Sequence, residues 1–176
     1  LALALDLLRS IEQPTPARIA QLAGDPFPQR LVVHLSWVSN QQGAYTTIRP
    51  YTVAVIATRR GGTPGGVEDF VELVFHEPTH AVILPDRGSV SAAIAAAAAE
   101  AGEEVPRHLW HALLFYLVGS AVEEQLHRHG WSDYVMYMKR NAVFAAFHDA
   151  VFPAMAPYLA GDLALEPAVQ QALRGL

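Results

Sequence analysis

The sequence predicts an α+β fold, mostly helical, with a small antiparallel sheet preceding a helix that carries His76-Glu77-Pro78-Thr79-His80. Three observations predict it. Beyond residue 67, apolar side chains recur at helical spacing in segments closed by glycine or proline. Residues 31–38 and 51–58 are instead rich in β-branched and aromatic types. No internal repeat or long linker divides the 176 residues, so one domain over 1–176 is expected.

The elements follow in order. Residues 2 to 12 read as a short helix. Thr15-Pro16 reads as an N-cap followed by proline at the first helical position, opening a second helix. Gly24 should stop it, with Pro26 and Pro28 forbidding continuation. Strands at 31–38 and 51–58 flank the turn-prone Ser39-Asn40-Gln41-Gln42-Gly43-Ala44, and Tyr45 to Arg49 adds an intermediate strand before Pro50. Residues 59–66, Arg-Arg-Gly-Gly-Thr-Pro-Gly-Gly, form a loop by composition.

Val67, Phe70, Val71, Val74, Phe75, Ala81 and Val82 place a helix over 67–84, closed by Pro85. Pro78 lies inside it and removes one backbone hydrogen bond. Either a kink between the turns of the two histidines or a new helix near His76 is expected. An alanine-rich helix spans 89–101, ended by Gly102, and its small side chains imply close packing. Pro106 opens the most apolar helix, 107–129, which should run through the middle of the domain. A helix over 132–152, punctuated by Pro153 and Pro157, and a short one over 166–173 complete the chain.

Composition narrows the partners. With 52% hydrophobic residues the chain can fill a core. A charged fraction of 16%, a net charge of −5 and no basic run argue against nucleic acid. The longest alanine-rich stretch, near Ile94 to Ala99, is too short to span a bilayer, so no transmembrane segment is expected. Cysteine is absent, which excludes a thiolate metal site, a disulfide scaffold and a cysteine nucleophile. The chain opens at Leu1 without methionine; Leu-Ala-Leu-Ala-Leu reads as the mature side of a processed signal or a boundary, and the reading leans towards export. No feature specifies an oligomeric state.

His76-Glu77-Pro78-Thr79-His80 is an H-E-x-x-H pentapeptide. Residues four apart share a helix face, so His76 and His80 are placed to hold one zinc ion, and Glu77 to take a proton from its water. With 8 histidines in the chain, chance gives the pattern in roughly two such chains per hundred. A catalytic zinc needs a third protein ligand. A longer histidine motif would need glycine at position 83 and a ligand at 86; Ile83 and Asp86 stand there, and isoleucine cannot make glycine's turn. Glu123 and Glu124, at the polar end of the central helix, are a second source, although a solvated helix end explains them as well. His111, within Leu109-Trp110-His111-Ala112-Leu113-Leu114-Phe115-Tyr116, is the preferred ligand because a neutral imidazole in a dry pocket binds zinc well. A core histidine bonded to a carbonyl is the competing account of His111.

Gly43-Ala44-Tyr45-Thr46, then Glu72-Leu73-Val74-Phe75-His76-Glu77, then Trp110 to Tyr116 follow the order strand, glycine loop, H-E-x-x-H helix. Over residues 30 to 125 this resembles the zincin metallopeptidases and looks like a bacterial branch of that group. It departs in Pro78 and in lacking an N-E-x-x-S-D segment, which leaves the third ligand open. The resemblance implies a zinc peptidase acting on a peptide or small-molecule substrate. His76 and His80 would be ligands, and Glu77 the general base that returns its proton to the leaving amine. It also implies an oxyanion donor, for which Tyr116, Tyr134, Tyr137 and His108 have suitable chemistry. Tyr134, following Trp131-Ser132-Asp133, is placed at the rim. A sheet edge should pair with extended substrate, either residues 51–58 or the Tyr45 segment. Asp69, Glu72 and Asp86 are candidate partners of the histidines but are expected to be solvated acids. The alternative function is a zincin-like binding protein without turnover, with or without zinc.

Overall fold

The computed structural model describes residues 2–37, 39, 43–49, 51–57 and 67–176. Among them the order is α1 (Ala2–Ile11), α2 (Pro14–Ala23), β1 (Leu31–Ser36), β2 (Ala44–Thr47), β3 (Thr52–Ala57), α3 (Val67–Thr79), α4 (Ser89–Ala101), α5 (Leu109–Arg128), α6 (Tyr137–Arg140), a 3-10 turn (Ala145–Phe147), α7 (His148–Ala160) and α8 (Leu165–Arg174). The class is α+β, mostly helical, as expected. The expected strand ends at Val38 and Thr58, the turn residues 40–42, Pro50 and the glycine loop 59–66 lie outside the described residues.

α2 starts two residues earlier than the sequence suggests, at Pro14 rather than Pro16, and Thr15 is buried rather than capping. Prolines 14 and 16 are both tolerated because the first amides of a helix have no intrahelical acceptor. Gly24 closes the helix in the left-handed conformation (φ 73°), as expected.

The sheet is mixed rather than antiparallel throughout. Its order is β1-β3-β2, with β2 antiparallel and β1 parallel to β3. The chain reverses between consecutive strands, but β3 inserts between the other two. β1 therefore neighbours the strand two reversals later, which runs its own way. Alternation along β3 buries Thr52, Ala54 and Ile56 towards α3.

α5 is the centre of the fold. It packs against α1, α2, α3, α4, α6 and α7, so it has no wet side and must be apolar nearly all round. Leu113, Leu114, Leu117, Val118 and Val122 are fully buried. Each such side chain contributes about 1.5–3 kcal/mol of burial free energy. No helix among the described residues is long and apolar enough to cross a membrane.

α3 lies between the sheet and α5. Leu73 and Val74 face Ala44 and Ile56 of the sheet, while Val71 and Phe75 join the main core. The helix neither restarts near His76 nor continues to Leu84; it ends at Thr79, one residue after Pro78. Pro78 cannot donate to the Val74 carbonyl, and the chain tightens at once. The amides of His80, Ala81 and Val82 bond to the carbonyls of Glu77, Pro78 and Thr79 at 3.1, 2.9 and 2.9 Å. Thr79 Oγ1 adds a bond to the Phe75 carbonyl at 2.7 Å.

α4 matches its expected bounds, and Asp25 accepts the Ser89 amide at 2.6 Å from the loop after α2, giving the helix a non-local cap. The expected helix over 132–152 is replaced by an irregular stretch, the single turn of α6, and α7. Two carboxylates from other helices satisfy its backbone: Glu123 accepts the Met136 amide at 3.0 Å and Glu72 the Tyr137 amide at 2.9 Å. Ala142 and Phe144 then adopt left-handed backbone angles (φ 50° and 54°), which no continuous helix contains. Pro153 and Pro157 lie inside α7 instead of ending it; Pro153 is exposed, so water can reach the carbonyl it leaves unbonded.

Gly119 of α5 faces this junction. A Cβ there would sit 2.9 Å from Met136 Cβ and 3.1 Å from Glu72 Oε1. Gly119→Ala is expected to destabilise the fold by about 1–3 kcal/mol despite alanine's better helix propensity. A denaturant midpoint equal to or above that of the native chain would contradict this packing.

Candidate metal centre

α3 and α5 lie side by side in opposite directions, and four-residue steps on one match four-residue steps on the other. Glu72 lies at Gly119, the His76 ring is 3.9 Å from the Phe115 ring, and the His80 ring is 5.0 Å from that of His111. His76 is in the last turn of α3, His80 is one residue past its end, and His111 is in the first turn of α5. One candidate nitrogen from each of the three imidazoles lies within 4.8 Å of the others. A tetrahedral zinc at 2.0–2.1 Å needs nitrogens about 3.3 Å apart, so ring rotations of at most about 1.5 Å close the set.

The surroundings are apolar. Trp110 stacks on His111 at 4.8 Å and 11°, Phe115 tilts against both His76 and His111, and Phe144 lies 5.1 Å from His111. Burial therefore holds the histidines neutral. It carries His80 and His111 down to about 4, with His80 and then His108 adding repulsion at His111. His76, 3% exposed, is pushed well below the usual histidine value by burial, then by His80 and His111. Three neutral imidazoles, with His111 Nε2 buried and unpartnered, fit a divalent cation that prefers nitrogen donors.

Glu77 follows His76 by about 100° around the helix, so its carboxylate leaves α3 beside the histidine face. It is 6% exposed and held from the sheet: the Thr46 hydroxyl of β2 lies 2.8 Å from Glu77 Oε2 and 2.7 Å from its carbonyl oxygen. Burial raises the Glu77 carboxyl above the ordinary value, and the Thr46 bond opposes part of that rise. Thr46 is a contact that sequence reasoning did not single out. Its only local signal is a hydroxyl residue on a short strand before the motif helix.

The other candidates go elsewhere. Glu123 accepts the Met136 amide, and Glu124 pairs with Arg18 at 3.0 Å and Arg128 at 2.5 Å. Asp86 is largely exposed beside Arg87. Tyr134 is not at a rim: it is buried, and its hydroxyl donates to Glu72 Oε2. Burial and the Glu72 carboxylate push its phenol far above the usual value, so Tyr134 keeps its proton and donates it in the hydrogen bond to Glu72. Tyr116 points its hydroxyl at the Phe152 carbonyl, 3.4 Å away. Tyr137 stacks on Phe115 at 6.2 Å, and Phe115 in turn lies against His76 and His111; His108 lies exposed at the α5 N-cap.

Asp69 and Glu72 are not solvated acids. Each is 1% exposed; Asp69 pairs with Arg140, and Glu72 receives Tyr134 and the Tyr137 amide. Burial raises the Glu72 carboxyl to about 7 against the lowering effect of those two bonds, with Glu123 adding to the rise. Of the two segments expected to meet substrate, β3 is the central strand and has both edges paired, whereas β2 is an edge. The Ala57 amide bonds to the Gly43 carbonyl at 2.9 Å, so in the antiparallel register Tyr45 and Thr47 face β3. The amides and carbonyls of Ala44 and Thr46 point outwards, where no strand among the described residues pairs with them. No family model, curated protein or solved structure matches the chain.

Proposed function

We propose that this chain is a zinc-dependent hydrolase, a peptidase of the zincin type, with His76, His80 and His111 as metal ligands and Glu77 as general base. The observation that carries the proposal is the convergence of three neutral imidazoles from α3 and α5 within 4.8 Å, next to a buried carboxylate. Zinc in that position supplies Lewis acidity, lowering the pKa of water and polarising a carbonyl oxygen. Glu77 accepts a proton from the attacking water and passes it to the leaving amine. Burial, which raises its pKa above the ordinary carboxylate value, makes it a stronger base than an exposed glutamate. Thr46 fixes the rotamer of Glu77 from one side of β2. The outward amide and carbonyl groups of Ala44 and Thr46 can pair with an extended substrate on the other. Trp110, Phe115 and Phe144 form an aromatic wall against His111, one side of the proposed site.

The test is hydrolysis of a mixed peptide library by the purified chain, abolished by a chelator and restored by zinc. Cleavage that survives complete metal removal, or no cleavage by zinc-loaded protein, would contradict the proposal. A second expectation concerns Thr46. Thr46→Val keeps the shape of the side chain and removes one hydrogen bond to a charged group, worth about 1.5–3 kcal/mol. kcat should fall by roughly 10- to 100-fold with zinc content and KM little changed, and Thr46→Ser should restore it. An effect on KM alone would place Thr46 in substrate binding rather than in orienting the base.

A further inference from the structure

Among the buried polar atoms of α3 that lack hydrogen-bond partners, Glu72 Oε1 and His76 Nδ1 lie on adjacent turns; Asp69, the other residue with such atoms, is already paired with Arg140. An unpartnered buried polar atom costs about 1–3 kcal/mol, so two on one helix face call for an explanation. Glu72 precedes His76 by four residues, the spacing at which helical side chains meet. Its other oxygen is already fixed. Tyr134 and the Tyr137 amide both donate to Oε2, which leaves Oε1 as the free end of an anchored carboxylate. α5 leaves space beside that free end, since position 119 is glycine and a Cβ there would stand 3.1 Å from Oε1. One step along the same helix pair, Phe115 covers the His76 ring and shuts water away from it.

We propose that Glu72 is the positioning residue of His76: with metal in the three-histidine site, Glu72 Oε1 accepts the Nδ1–H of His76. The proposal rests on the metal site argued above and adds to it. Metal at Nε2 leaves Nδ1–H as a donor that needs an acceptor, and a carboxylate there fixes both tautomer and ring orientation. A purely structural clamp would account for the contacts at Oε2. It would leave Oε1 and His76 Nδ1 without a purpose.

The experiment measures zinc affinity by competition with a chromophoric chelator, for the native chain, Glu72→Gln and Tyr134→Phe. Glu72→Gln should bind zinc 10- to 100-fold more weakly, the usual effect of losing such a partner. Tyr134→Phe removes the clamp hydroxyl and leaves Oε1, so its zinc affinity should stay within a few-fold of native. Equal affinities for native and Glu72→Gln would overturn the positioning role. So would an equal loss in both variants, because packing of the Tyr134 segment would then be the cause. A native chain that binds no zinc would instead remove the metal site itself, which keeps the two failures distinct. Should Glu72→Gln fail to fold, the native zinc protein labelled with ¹⁵N-histidine supplies the answer. The His76 Nδ1–H proton should be shifted downfield and slow to exchange, and a fast-exchanging signal would overturn the proposal.

Discussion

Glu77→Gln should retain zinc and lose peptide hydrolysis by about 10²- to 10⁴-fold in kcat, the usual worth of a positioned proton acceptor. The substitution keeps the size and hydrogen-bonding reach of the side chain, so the Thr46 contact from β2 can persist through the amide. Only basicity is lost. Glu77 is outside the set of three imidazoles, so metal content should match the native protein. The pH profile gives a second readout. Burial raises the Glu77 carboxyl, and in the proposed mechanism its ionised form would be the base. Activity should therefore fall with decreasing pH at a higher pH than an ordinary carboxylate would give, and Glu77→Gln should lack that limb. Equal rates for native and Glu77→Gln would show that another group takes the proton. One bound zinc without cleavage of any peptide by the native chain would favour a binding protein over an enzyme.

The pentapeptide and His111 were legible in the sequence for different reasons. Spacing four apart on an apolar helix marks His76 and His80. An imidazole inside the almost continuous apolar run from Leu109 to Val122 marks His111. That the three meet depends on the antiparallel register of α3 against α5, which periodicity within either helix does not encode. The misreading of Asp69 and Glu72 has a related cause. A polar residue on an amphipathic helix is ordinarily assigned to a wet face, but α3 is enclosed by the sheet and α5 and has almost none. Tyr134 followed from the same error, since its partner is the buried Glu72 rather than solvent or substrate. The helix over 132–152 was plausible locally and fails for non-local reasons: Glu72 and Glu123 bind its backbone amides, and Ala142 and Phe144 turn left-handed. Strand pairing was equally non-local, because the residues of β1 do not record which later strand will lie beside them.

Zinc content should be about one per chain after purification without added metal. It should be lost in His80→Ala and His111→Ala, with weakening beyond the 10- to 100-fold typical of a residue that only supports a ligand. In the proposed site each imidazole would supply one of three bonds, which alanine removes. Glu123 and Glu124 are engaged with Met136, Arg18 and Arg128, so neither can replace His111 without breaking those contacts. The acid dependence follows from burial. Free His80 and His111 take up protons only near pH 4, so protons should not compete with zinc until the pH falls well below the usual histidine value of 6.5. In the metal-free protein the same shifts act on stability. The unfolded chain binds more protons than the folded one between about pH 4 and 6.5, so these histidines oppose folding increasingly as the pH falls through that window. Zinc bound to the neutral imidazoles, as proposed, should stabilise the fold by about 4 kcal/mol at a thousandfold excess over Kd. Thermal unfolding of native protein with and without zinc reads that difference directly, and His111→Ala should show almost none of it. Full zinc retention by His111→Ala would instead mean that the third bond comes from a group other than this imidazole, despite its 5.0 Å approach to the ring of His80.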